Sequence, residues 1–193
     1  MTKIVFKYSW IYDDHFMEIA KNKERYPSLE RIEAFIKRAE KLWRKDEKRI
    51  LAELPRITRL KWKEEKITCY VVGKCIPFSE PLTLPIMENY PDYFIDVLVH
   101  ELLHQLLFVQ NEEETKEAWD YIFKKYRKGA VNTKIHIPVH AFHSHIYLKF
   151  FGERRMKRDI KLISFLPDYK KSWEIVQKEG YRNIMNEFAK RIQ

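Results

Sequence analysis

From Tyr93 to Val109 the chain reads YFIDVLVHELLHQLLFV, with twelve apolar residues among seventeen. Such a run predicts a helix buried nearly all round. What it carries is unusual for a buried helix: His100, Glu101 and His104, with Asp96 one turn earlier. Histidines four apart share a helical face, so both rings can reach a common point. Burying two imidazoles and two carboxylates costs several kcal/mol, on the order of 2 or more per group, unless each is paired or metal-bound. H-E-x-x-H on a helix is the zinc-ligand pattern in which the two histidines bind the metal and the glutamate serves as general base. The plainer alternative is a pair of core histidines, one bonded to Glu101 and one to a backbone carbonyl. The apolar setting favours the metal, because an accidental match falls more often in a polar surface segment.

A hydrolytic zinc site usually has three protein ligands and one open position. His100 and His104 supply two. Four of the seven histidines, His136, His140, His143 and His145, lie within ten residues. With Pro138 read as the first turn of a helix running to Phe151, Val139, Phe142, Ile146 and Phe150 form its buried stripe. His140 and His143 flank that stripe, which makes His140 the expected third ligand. His143, His136 and Glu117 are the alternatives. His145 points away and is expected to be exposed, and His136 precedes the helix.

The 193 residues are read as one domain, 1–193, with an N-terminal strand and helix part (1–66), a metal-site core (67–152) and a helical tail (153–193). The expected fold is α+β: a small mixed or antiparallel sheet packed against several helices, with a helical C-terminal part. Hydrophobic residues make up 45% and aromatics 15%, which excludes a disordered chain. No apolar run approaches the roughly 20 residues that span a bilayer, and no secretory leader is evident, so a cytoplasmic protein is expected. Cys69 and Cys75 are too few for a disulfide framework and lack C-x-x-C spacing, so both read as ordinary thiols. The net charge of +9 is mostly spread along alternating amphipathic segments, as on a solvated helix face. One basic knot, Glu153 to Lys161, stands out.

In chain order, Ile4 to Trp10 predicts a strand, and a short helix follows from Asp13 or Asp14 to about Asn22. Ser28 opens a long helix with an apolar stripe from Ile32 to Leu54, which Pro55 ends. Arg59–Trp62 and Ile67–Val72 read as strands. Leu82–Met87, flanked by prolines, reads as an edge strand leading into the 93–109 helix, with Pro91 in its first turn. A further helix follows the acidic Glu112–Glu114 and is closed by Gly129, and Ala130–Lys134 reads as a loop. Two helices around Gly180 complete the tail.

The parts imply a mechanism. Zinc acidifies a bound water and polarises a carbonyl. Glu101 would take the water's proton and pass it to the leaving amine. The edge strand at 82–86 would hold an extended peptide by β-augmentation, and a spare histidine from the 136–143 cluster would stabilise the oxyanion.

His100-Glu101-x-x-His104 on an apolar helix after an edge strand resembles the zincin superfamily of zinc metallopeptidases, over residues 82–152. The resemblance implies one zinc per chain and a peptide or protein substrate. The metzincin extension asks for Gly three residues after the second His and His six after it; Leu107 and Gln110 stand there instead. Glu113, Glu114 and Glu117 lie where gluzincins draw a glutamate, but without their N-E-x-x-S-D motif. A third His on a later helix is similar to small SprT-like and archaeal zincins. The competing expectations are a nucleic-acid-associated protein, with a structural metal or DNA-tethered protease action, and an inactive zincin-like scaffold.

Overall fold

A computed structural model of the chain describes residues 2–20 and 25–193. The fold is α+β, with a four-stranded mixed sheet and, among the described residues, nine helices. Two compact units share the chain: Met1–Ala52 with Trp62–Gln105, and Glu53–Lys61 with Leu106–Gln193. No helix among the described residues is long and apolar enough to cross a membrane.

The first unit is built on the sheet, in the order β1-β2-β4-β3. Strands β1 (Lys3–Lys7), β2 (Lys66–Val72) and β4 (Leu82–Pro85) run parallel, and β3 (Phe78–Ser79) pairs antiparallel with β4. Parallel strands need a crossover, which between β1 and β2 contains α1 (Trp10–Ile19), α2 (Leu29–Trp43) and α3 (Glu47–Thr58). Ile67, Cys69 and Val71 are buried in alternation along β2, and Val72 at its end is buried as well. On one face of the sheet Phe94 of α4 (Pro91–His104) sits between Phe6 at 5.8 Å and Phe35 of α2 at 5.2 Å. On the other, Tyr12 of α1 meets Tyr70 at 5.3 Å and shares a hydrogen bond with Thr83.

Several elements differ from the expectations. Strand β4 is interior rather than an edge: β3 covers its outer side and becomes the edge. Arg59–Trp62 forms no strand; Arg59 takes φ 63° directly after α3, a left-handed turn that ends the helix. Helix α1 starts earlier than Asp13, because the Ser9 hydroxyl caps the Tyr12 amide. Its expected end at Asn22 lies outside the described residues. The long helix from Ser28 is two helices, interrupted at 44–46, where the Asp46 carbonyl starts α3 by accepting from Ile50 N–H. Pro55 lies inside α3 instead of ending it.

Asp13 is a lock for this unit. It is buried, and its Oδ1 accepts from the Tyr26 hydroxyl at 2.5 Å and the Gly73 amide at 2.7 Å, while Oδ2 accepts from Tyr8 at 3.1 Å. Burial and the Asp13 carboxylate push the Tyr8 hydroxyl up to about 12, and raise Tyr26 as well. A side chain on Gly73 would overlap the Tyr26 ring, so glycine is required there.

The second unit is organised on α6 (Val131–Ile146), buried on twelve of its sixteen residues and packed by α8 (Pro167–Glu179) and α9 (Tyr181–Ala189). Helix α5 (Glu112–Lys125) joins through Trp119, which stacks on Phe108 at 4.0 Å and meets Phe188 at 5.0 Å. Pro138 is an interior residue of α6 rather than its start, so His136 lies on the helix. An interior proline costs about 3 kcal/mol. Burying Ile137, Val139, Phe142 and Ile146 offsets that, at roughly 1.5–3 kcal/mol each. Gly152 (φ 87°) follows a wider, π-type turn at Tyr147–Phe151, and the basic run becomes α7 (Glu153–Ile163). Within it Lys157 pairs with Glu153, and Arg155 lies over the Phe151 ring.

Glu53 anchors three side chains in this unit: Arg56, His145 at 2.7 Å and Lys149 at 2.7 Å. These bonds, Arg56 first, hold its carboxyl down to about 2. His145 is therefore half-buried and paired, not turned into solvent as expected.

Two outcomes are expected. Asp13→Ala should destabilise the protein by about 2–4 kcal/mol in urea titration, because three donors lose a buried acceptor; a change under about 0.5 kcal/mol would remove the lock. Glu53 has a folded value below its unfolded one, so its contribution is present above pH 4.5 and lost as pH falls toward 2. Glu53→Gln should flatten the stability profile over that window.

Candidate metal centre

Helix α4 begins at Pro91, whose missing N–H costs nothing in the first turn, and runs through the apolar stretch to His104. A π-type turn at Gln105–Val109 extends it to the expected end at Val109. His100 and Glu101 are 8% and 6% exposed, and His104 is half-buried. The His100 and His104 Nε2 atoms approach to 3.2 Å, with ring centroids 4.9 Å apart. Two nitrogens bound to one tetrahedral zinc, each at about 2.05 Å, stand about 3.3 Å apart. The same spacing also suits a hydrogen bond between the rings, so it is compatible with an ion without showing one.

Burial pushes the Glu101 carboxyl up to about 8. It stands close enough to Cys69 and Cys75 for its charge to reach both thiols. Burial first, then that charge, pushes Cys75 up to about 12, and burial, then Cys75 and Glu101, raises Cys69 well above the ordinary thiol value. Both cysteines are free and remain protonated, which suits neither a disulfide nor a thiolate ligand. Asp96 is fully buried one turn before His100.

Sequence reasoning missed Gln105. Its side-chain amide donates to the Ser79 carbonyl of edge strand β3 and, at 3.3 Å, to Glu80, which ties the end of α4 to the sheet edge. Nothing in the pattern around it signals this role; only the fold brings 79 and 105 together. The expected peptide-binding edge at 82–86 is thus displaced to β3, one of whose carbonyls is already engaged.

In the second unit, His136 and His140 lie one turn apart on α6, with ring centroids at 5.4 Å. The Nδ1 of His136 lies 2.8 Å from the Asn132 carbonyl. A carbonyl only accepts, so the proton is on Nδ1 and the lone pair on Nε2. The Ser172 hydroxyl lies 2.7 Å from His140 Nδ1 and 2.8 Å from the Tyr169 carbonyl. The His140 ring lies flat on Trp173 at 4.3 Å, and Tyr169 packs on His136 at 4.1 Å. His143 stacks on Tyr147, and burial, reinforced by the Arg155 charge, pulls it down to about 3, so it stays neutral. Glu117 is exposed on α5.

Comparison with known proteins found no matching family, no similar curated protein and no similar solved structure.

In metal-stripped protein, Glu101 has a folded value above its unfolded one. Its contribution is present below pH 4.5 and lost as pH rises through about 8. Glu101→Gln should therefore gain stability relative to the parent chain between pH 5 and pH 8, by about 2 kcal/mol or more. Parallel denaturant profiles at both values would refute the buried carboxyl.

Proposed function

We propose that the chain is a zinc-dependent peptidase in which His100 and His104 of α4 hold the metal and Glu101 is the general base. The observation that carries this reading is the 3.2 Å approach of the two α4 imidazole nitrogens beside a buried carboxyl.

Zinc bound there would lower the pKa of a water to about 7 and polarise a substrate carbonyl. The Glu101 carboxylate takes the proton of the attacking water and hands it to the departing amine nitrogen. Burial, which lifts its basicity toward neutral pH, suits both transfers. Gln105 holds β3 against the end of α4 and so keeps the strand and the histidine helix in register. The nucleic-acid alternative draws on the basic run, but in α7 Lys157 is paired and Arg155 covers Phe151, which leaves net charge as its main support.

Purified protein should carry about one zinc per chain, and Glu101→Gln should keep the zinc while losing hydrolysis of a peptide library by about 10²–10⁴-fold. His100→Ala and His104→Ala should lose the metal. A zinc-free wild type after zinc reconstitution, or a fully active Glu101→Gln, would overturn the assignment.

A further inference from the structure

Within the second unit, the end of α5, the start of α6 and α8 enclose a cavity of about 460 Å³. Small-molecule sites typically measure roughly 300–1,000 Å³. The floor is apolar: Ile137 of α6 is fully buried, and Ile175 of α8 and the Tyr126 ring are half-buried. Around it stand Lys125, Arg127, Lys128 and Lys171, and among the described residues no carboxylate lines the cavity. Two of these cations are already answered, Lys125 by Glu179 at 2.7 Å and Lys171 by Glu174 at 3.3 Å. Tyr126 donates to the same Glu179, and the Thr133 hydroxyl donates to Asp168 at 2.6 Å. Arg127 and Lys128 are exposed and, among the described residues, have no such partner. The Gly129 amide donates to the Tyr126 carbonyl at 2.8 Å, which closes the turn that carries both of them to the rim.

Charges of one sign on the walls of an apolar cleft focus a potential that draws in the opposite sign. A bare anion would leave the floor in water, and a neutral apolar molecule would leave the two cations unanswered. We propose that this cavity binds a small amphiphilic anion, with a carboxylate or phosphate head on an apolar body. Arg127 and Lys128 take the head, and the planar fork of Arg127 matches either oxyanion. Ile137, Ile175 and the Tyr126 ring take the body. Thr133 stays with Asp168 and adds nothing to the head. Every lining residue belongs to the second unit, so the site is independent of the metal reading for α4.

Calorimetric titration of the full chain with dodecanoate and with dodecyl phosphate tests this. At least one should bind saturably at one molecule per chain, more weakly as salt rises, and the tighter of the two identifies the head. Arg127→Ala/Lys128→Ala should weaken that binding about tenfold or more, as loss of hydrogen bonds to a charged group does. Arg154→Ala/Lys161→Ala removes the same charge from exposed positions on α7 and should change it less than about twofold. Inorganic phosphate and acetate, which lack the body, should bind at least about tenfold more weakly. Amide resonances of Ile137 and Ile175 in the parent chain should shift as the amphiphile saturates, a readout that needs no variant. Failure of both amphiphiles to bind overturns the proposal, and retention on DNA through Arg127 and Lys128 would then assign the rim to a nucleic-acid backbone. Equal binding by the Arg127→Ala/Lys128→Ala chain, shifts confined to other residues, or inorganic phosphate binding as tightly as the amphiphiles overturns it too.

Discussion

Everything in the first unit follows from the need to cover an apolar helix that also carries ionisable groups. Helix α4 cannot leave Phe94, Leu98 and Leu102 in water, and the sheet and α2 exist as the surface that covers them. The same burial encloses Glu101 and His100, where a carboxylate is poorly solvated and an imidazole must find a partner. Low dielectric makes an unpaired group costly and a paired or coordinated one strong. The chemistry proposed for Glu101 and the cost of burying it thus have one cause.

The two units meet similar constraints by different means. In the first, a single buried carboxylate, Asp13, gathers donors from Tyr8 ahead of α1, from Tyr26 and from the turn after β2. In the second, Glu53 gathers nitrogen groups from α3, from the end of α6 and from the turn beyond it. Around α6, stacked rings replace charge: Trp173, Tyr169 and Tyr147 each lie against a histidine. Neutral imidazoles accept such packing because nothing charged has to be desolvated.

Long apolar helices were readable from the chain alone. The 93–109 stretch, the α2 stripe and the tail around Gly180 have period and punctuation in agreement, and the structure forms them. Proline was the poorest guide. At 55 and 138 it was expected to bound a helix, yet in both places tertiary packing outweighs the lost hydrogen bond. That error placed His136 off the helix and so hid its relation to His140. Interior and edge strands were also confused, because two residues, Phe78 and Ser79, carry too little pattern to announce a strand. His100, Glu101 and His104 were legible because four-residue spacing is a local property. The bonds of Gln105 and Ser172 were not, since their partners arrive from 26 and 32 residues away.

The widened turn at Gln105–Val109 has a consequence for how this chain is compared with others. A π-type turn takes up an extra residue, so side chains beyond it are rotated back relative to an unbroken α-helix. Counting three or six positions past His104, as motif definitions do, therefore gives a place in the alphabet of the chain but not an angle about the axis. Leu107 and Gln110 fill those numbers without facing the directions that an ordinary helix would assign them.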